Sequence, residues 1–226
     1  MITALIVAAG QGVRMGTAQR KQYLTLCGRP ILAHTLRAFD SCAQVAQIVL
    51  VVPESEIDYC RRDIVPTAGL RHDPLLVPGG ARRQDSVYRG LQCITAPDDV
   101  VLIHDGVRPL VTHQLIERCI EGARQWGACI PVVPVTDTLK RIDARGAVAA
   151  TVPREALCMA QTPQAFHLSL IKRAHQWARE HEMEATDDAS LVERMGTPVH
   201  TIAGLPTNIK ITSPMDLRRA EAYFSL

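Results

Sequence analysis

Four short apolar runs limit what this chain can fold into. Residues 5–8, 48–52, 100–103 and 130–135 are nearly continuous in alanine, leucine and β-branched side chains. A strand wetted on one face alternates polar and apolar residues. Runs without that alternation fit strands covered on both faces of a mostly parallel sheet. Stretches of helical period fall between and after them, at 30–39, 84–94, 112–126, 167–181 and 187–195. A last helix opens at Ser213-Pro214-Met215-Asp216, with a capping serine, a proline in the first turn and an acid three residues after the serine. Strand and helix in alternation predict a doubly wound α/β sandwich that binds ligands at the carboxyl ends of its strands.

One segment breaks the rhythm. Residues 136–154 hold two poorly amphipathic stretches around Asp143-Ala144-Arg145-Gly146, which predicts a hairpin or extended arm. Such a hairpin is too small to be stable alone. Its pattern fits an arm that packs on a second subunit and an edge hairpin on its own sheet equally well. No repeat or linker divides the chain, so residues 1–226 read as a single domain with 136–154 as a β-arm within it.

Composition excludes some partners. With 25 basic and 23 acidic residues the net charge is +2, too balanced for broad electrostatic attraction to nucleic acid. The apolar start, Met1 to Gly10, lacks the charged leader of a secretory signal. It is also shorter than the roughly 20 apolar residues that span a bilayer. Cysteines 27, 42, 60, 93, 119, 129 and 158 form no C-x-x-C pair. An odd set without metal-ligand spacing reads as free thiols in a reducing cytoplasm.

Three local stretches carry chemistry. Ala8-Ala9-Gly10-Gln11-Gly12-Val13-Arg14-Met15 follows the first strand, where small residues admit a ligand to the backbone and glycine turns can present N–H groups to phosphates. Arg14 and Lys21 add positive charge. One cation about 4 Å from a phosphate charge gives roughly 4 kcal/mol at an intermediate dielectric, so a triphosphate needs several cations and a metal. A dinucleotide-binding fingerprint would place a third glycine where Met15 stands and an acid about 20 residues after the loop, whereas Glu54 comes about 40 after it. In Gly79-Gly80-Ala81-Arg82-Arg83-Gln84-Asp85-Ser86, backbone groups and the Ser86 hydroxyl can read a base edge. Arg82 and Arg83 diverge there, so one of them can reach a phosphate. In His104-Asp105-Gly106-Val107-Arg108-Pro109, Asp105 ends a buried strand and suits Mg²⁺, which takes one or two carboxylates plus phosphate oxygens. A phosphate nucleophile is already ionised near pH 7, so His104 reads as structural and not as a base. Taken singly, Thr186 reads as a helix cap and Lys210 as a surface lysine.

Read in order, these stretches resemble the 2-C-methyl-D-erythritol 4-phosphate cytidylyltransferase family. The resemblance runs through Ala8-Ala9-Gly10-x-Gly12-x-Arg14-Met15, Lys21-Gln22-Tyr23, Gly79-Gly80-x-x-Arg83-x-Asp85-Ser86 and His104-Asp105-x-x-Arg108-Pro109. It continues through Asp137-Thr138-x-Lys140, Thr162-Pro163-Gln164, Thr186-Asp187-Asp188-Ala189-Ser190 and Asn208-Ile209-Lys210, covering nearly the whole chain. It implies a Rossmann-like sheet of nucleotidyltransferase type with a projecting β-arm, and transfer of a CMP unit from CTP to a sugar-alcohol phosphate. Ala8, Ala9, Gly10, Gly80 and Ser86 would surround the cytidine, with Arg83 and Arg108 on the nucleotide side. Arg14, Lys21 and Lys210 would be catalytic, and Asp105 would bind Mg²⁺. Arg154, Thr162, Thr186 and Lys210 would receive the acceptor, Arg154 from the partner subunit of a homodimer.

The chain departs from the family pattern at three places. Gly106 and Val107 replace two common alanines, Ala81 stands where an acid is frequent, and Val13 replaces a frequent basic residue. Rival readings are a ribitol 5-phosphate cytidylyltransferase, which shares the nucleotide half, and an inactive dimeric nucleotide-binding module.

Overall fold

A computed structural model describes residues 1–10, 20–95 and 100–224 of the chain. The four apolar runs are strands: β1 (Ile2–Val7), β4 (Gln47–Val52), β6 (Val100–Asp105) and β7 (Ala128–Pro134). β1 and β4–β6 lie in one sheet, where β5 (Leu75–Pro78) pairs with β4, β4 with β1 and β1 with β6, all in parallel. Next to β6 the direction reverses. β11 (Gln164–His167) runs antiparallel between β6 and β7. β10 (Cys158–Ala160) also pairs antiparallel with β7, and β12 (His200–Ala203) pairs with it in parallel. Short β2 (Thr25–Leu26) and β3 (Arg29–Pro30) form a separate ribbon.

Helices cover both faces, as continuous apolar strands require. α1 (Ile31–Asp40), the helical turns ending in α2 (Ile57–Tyr59) and α3 (Val65–Ala68), and α5 (His113–Trp126) lie on one face. Leu36, Phe39, Ile64, Val65, Leu115 and Ile120 meet Ala4 and Ile6 of β1 there. On the opposite face α4 (Arg83–Gln92), α6 (Leu168–Glu180) and α7 (Asp188–Arg194) set Val87, Leu91, Ile171 and Leu191 against Leu5, Val49 and Val51. Gly90 lets α4 come this close, since a Cβ there would lie 2.2 Å from Leu5 Cδ1. α8 (Pro214–Phe224) closes the chain with the expected capping box, Asp216 N–H donating to Ser213 Oγ and Ser213 N–H to Asp216 Oδ2.

Helix boundaries differ from the sequence reading in small ways. Pro30 precedes α1 instead of opening it, and Thr112 caps α5 with its hydroxyl. The cap of α7 is Asp187, which accepts from Ser190 N–H at 3.1 Å, and Thr186 is the exposed residue before it. A carboxylate is the stronger acceptor at a positive helix end.

Residues 136–154 contain the predicted hairpin. β8 (Leu139–Ile142) and β9 (Val148–Val152) pair with each other, and among the described residues with no strand of the main sheet. Ile142 and Val148 are 65% and 63% exposed, so among the described residues nothing gives the arm an apolar cover. Among the described residues no helix is long and apolar enough to cross a membrane.

Candidate active site

β1 has β4 on one side and β6 on the other, so the chain crosses over at its carboxyl end. Ligands of open α/β sheets sit at such a point. A cavity of about 430 Å³ opens there, lined among others by Val7–Gly10, Lys21, Gly79–Arg83, Ser86, Asp105 and Lys210. That volume suits a nucleotide-sized ligand.

Small residues shape one wall. Ala8, Gly79 and Gly106 continue the strand ladders through backbone hydrogen bonds to Val51, Val52 and Val7. A Cβ at Gly79 would stand 2.3 Å from Ala9 Cβ, and one at Gly80 2.4 Å from Asp85 Cβ. The Ser86 hydroxyl is already engaged, accepting from Gly80 N–H at 3.0 Å and donating to Arg82 O at 3.1 Å. It therefore shapes the Gly79–Gly80 loop. Arg82 turns outward to Asp85 and Glu184, whereas Arg83 turns inward.

Lys21 opens a short 3-10 turn with Gln22 and Tyr23. Buried Gln22 donates to Ala8 O at 2.7 Å, and Tyr23 Oη donates to Glu56 Oε2 at 2.7 Å. Glu56 also takes Arg20 Nε at 2.5 Å. Two grips thus hold the turn against the end of β1. Arg14, with Gly12, Val13 and Met15, lies outside the described residues.

Asp105 is the electrostatic centre. Its side chain is 10% exposed and meets Lys210 Nζ at 2.8 Å, Arg83 Nε at 3.2 Å and Arg108 Nε at 3.6 Å. Arg83 continues to Asp188 Oδ2 at 2.7 Å, and Asp188 Oδ1 lies 3.0 Å from His175 Nε2. Lys210 is thus not a solvated surface lysine. Gln161 bonds both backbone groups of Leu205, Asn208 Nδ2 donates to Thr162 O, and Arg108 donates to Asn208 O at 2.7 Å. These bonds carry the 205–210 loop, and Lys210 with it, over the end of β6.

Other residues singled out in the sequence stand apart from the cavity lining. Arg108 lies beneath Asp105 and ties in the 208 carbonyl. Thr162 is buried, its hydroxyl accepting from Asp105 N–H at 3.2 Å and facing His104 Nδ1 at 2.9 Å. Thr186 is exposed ahead of α7. Arg154 is exposed at the base of the arm, donating to Thr136 O. His104 has the structural place expected of it: it is fully buried against Phe39 and Arg108 O, and burial pushes its imidazole down to about 3.

The carboxylates predict an acid response. Burial alone would favour the neutral acids at Asp105 and Asp188. Arg83, Lys210 and Arg108 outweigh it at Asp105, and Arg83 and His175 at Asp188, so both stay below the usual carboxylate range. The unfolded chain then takes up protons first. The stability is complete above the unfolded value near about 4 and is lost as pH falls below it. Urea midpoints are expected to fall below about pH 4, and less steeply for Asp188→Asn. A parallel curve for that variant would contradict this ionisation.

Comparison with known proteins gives the family. The family model described as 2-C-methyl-D-erythritol 4-phosphate cytidylyltransferase matches residues 2–225. The chain belongs to this family. A protein of that name from Pelotomaculum thermopropionicum is 46% identical over 221 residues, 98% of this chain and 93% of its own. Its namesake from Geotalea uraniireducens is 47% identical, across 98% and 96%. The crystal structure of the cytidylyltransferase from Thermus thermophilus superposes with a TM-score of 0.81 at 36% identity, covering 98% of both chains. A 4-diphosphocytidyl-2C-methyl-D-erythritol synthase from Anaerococcus prevotii gives 0.84 at 32%, covering all of this chain and 96% of its own.

Within this cytidylyltransferase fold, two departures have a structural reading. A Cβ on Gly106 would come 3.0 Å from Ala8 Cβ and 3.1 Å from Leu32 Cδ1, so the glycine relieves crowding behind the cavity wall. Val107 is buried with Leu26, Ile31 and Ile211 and braces that wall. Sequence reasoning gave Gln22 no role as an anchor, quoted Asp188 only as a member of the 186–190 stretch, and did not name His175. Asp188 follows a helix cap and resembles any first-turn acid.

Proposed function

We infer that the chain transfers CMP from CTP to 2-C-methyl-D-erythritol 4-phosphate, forming the CDP-methylerythritol product and pyrophosphate in non-mevalonate isoprenoid biosynthesis. The observation that carries this reading is the grouping of Lys21, Arg83, Asp105 and Lys210 beside a glycine-lined nucleotide cavity, in a chain that matches the family end to end.

In this reading an acceptor phosphate oxygen attacks the α-phosphorus of CTP in line. A P–O bond forms to the acceptor, the bond between the α-phosphorus and the bridging oxygen breaks, and pyrophosphate leaves with the electron pair. Two anions must meet, so catalysis consists of positioning and charge neutralisation. The cytidine lies along Ala8, Ala9, Gly10, Gly80 and Ser86. Lys21, with Arg14, holds the triphosphate and the leaving pyrophosphate. Lys210 faces the attacking phosphate. Arg83 orients Asp105, and Arg108 braces it from below. Thr162 and Thr186 flank the acceptor side, and Arg154 reaches the acceptor of a second copy through the exposed 136–154 arm, which makes the functional unit a homodimer.

Asp105 fits a divalent cation that arrives with the nucleotide. Its carboxylate has lone pairs beyond those met by Arg83 and Lys210, and among the described residues no cluster of three potential ligands builds a protein-only metal site. When bound, Mg²⁺ would neutralise phosphate charge there.

Pyrophosphate release from CTP with Mg²⁺ tests the reading, comparing 2-C-methyl-D-erythritol 4-phosphate, ribitol 5-phosphate and no acceptor. Release with the first alone is expected. Release with ribitol 5-phosphate would move the acceptor, and no release with either would leave a nucleotide-binding module.

A further inference from the structure

Behind the cavity lies a buried polar chain that no catalytic role has yet absorbed. His175 of α6 and Asp188 of α7 are 0% and 1% exposed, in a protein whose interior is otherwise mainly apolar. Neither lines the cavity. Burying such groups is costly unless hydrogen bonds or a paired charge answer them.

The geometry is directional. Asp188 Oδ2 takes Arg83 Nη1 at 2.7 Å, and the other edge of the same guanidinium, Nε, meets Asp105 Oδ1 at 3.2 Å. Asp188 cannot swing away from that contact. Its N–H and that of Ala189 donate to Gln164 Oε1 of β11, each at 3.1 Å, and its second oxygen faces His175 Nε2 at 3.0 Å. His175 Nδ1 has no hydrogen-bond partner among the described residues. Nε2–H of the imidazole therefore donates a hydrogen bond to Asp188 Oδ1. Backbone bonds on one side and the imidazole on the other leave the carboxylate one orientation, and that orientation aims Arg83.

We propose that His175 and Asp188 are positioning residues: together they lock Arg83 of the nucleotide cavity and, through Arg83, set the Asp105 carboxylate and Lys210 for reaction. The proposal rests on the cytidylyl-transfer reading above. Arginine fixed at both edges of its fork loses most of its conformational freedom before CTP arrives. With Asp188 neutral, Arg83 keeps only Asp105 as an ionic partner and can follow it in more than one rotamer.

The test is a double-mutant cycle between Asp188→Asn and Arg83→Ala, read as kcat/KM for CTP and as CTP affinity by calorimetry. Misplacing a reacting group by about an ångström can cost on the order of 100-fold, so Asp188→Asn is expected to lower kcat/KM by about 10- to 100-fold. In the Arg83→Ala background the same change should cost less than about threefold, since groups acting through one another are not additive. His175→Leu should reproduce a smaller version of the loss. His175→Gln, whose amide can reach the Nε2 position, should restore most of it. Where Asp188→Asn does not fold, the two His175 variants carry the same cycle. Equal losses in both backgrounds, or wild-type kinetics for Asp188→Asn, would overturn the proposal. An unaltered enzyme that releases no pyrophosphate would instead defeat the functional reading, and the cycle would then be decided by CTP affinity.

Discussion

Replacing Lys21 by alanine is expected to lower the rate of pyrophosphate release at least about 100-fold and to leave the fold intact. Both parts follow from how the lysine is held. The turn from Lys21 to Tyr23 is anchored by its neighbours, Gln22 on Ala8 O and Tyr23 on Glu56, and both neighbours are buried. Truncating Lys21 disturbs neither grip. Lys21 lines the cavity, where in the proposed reaction charge builds on the leaving pyrophosphate. A lost contact to transition-state charge in a preorganised site costs about 3–4 kcal/mol, which is a factor of a few hundred in rate. Steady-state turnover together with a thermal melt checks this. A melt like that of the wild type with turnover within about threefold would remove Lys21 from the mechanism.

Asp105→Asn is expected to damage stability and activity together. The aspartate is the one carboxylate that Arg83, Arg108 and Lys210 share. Without its charge the largely buried Arg108 faces a neutral amide, while Arg83 keeps Asp188 as its partner. Leaving a buried charge without its partner costs about 3–5 kcal/mol, a large share of the roughly 5–15 kcal/mol that holds a domain together. Lys210, at 37% exposed, can turn to water and adds little to that loss. In the proposed reaction its release would lower turnover, because Lys210 is the group assigned to the acceptor phosphate. Urea denaturation should show the stability loss, and turnover should be close to background even where the variant is folded. A variant as stable as the wild type would mean that the cations do not depend on Asp105. A folded and fully active variant would mean that neither Mg²⁺ nor Lys210 needs its charge.

The parts legible in the sequence were those with a local signal. The four apolar runs became strands covered on both faces, because burial on two sides removes the alternation that one wet face imposes. Six amphipathic stretches became helices within a few residues of their expected ends. The Gly79-Gly80 loop, the Asp105 strand end and the 136–154 hairpin could also be named, since each is set by neighbours in the chain. β5, β11 and β12 could not. Each is four residues long, and Gln164–His167 has only two apolar members, so its place between β6 and β7 depends on strands far away in sequence.

The site was legible as a set of residues and not as an arrangement. Arg83 and Asp188 are 105 positions apart, and Lys210 meets Asp105 only because Gln161, Asn208 and Arg108 fold the 205–210 loop back over β6. Read singly, Lys210 was a surface lysine and Thr186 a helix cap, and nothing in the sequence tied Asp188 or His175 to either. Periodicity and capping report what a residue does within its own element, where geometry repeats every two or 3.6 residues. Which charges meet across elements is decided when the sheet closes and desolvates them, because a buried charge keeps its ionised form only beside a partner that the tertiary fold supplies.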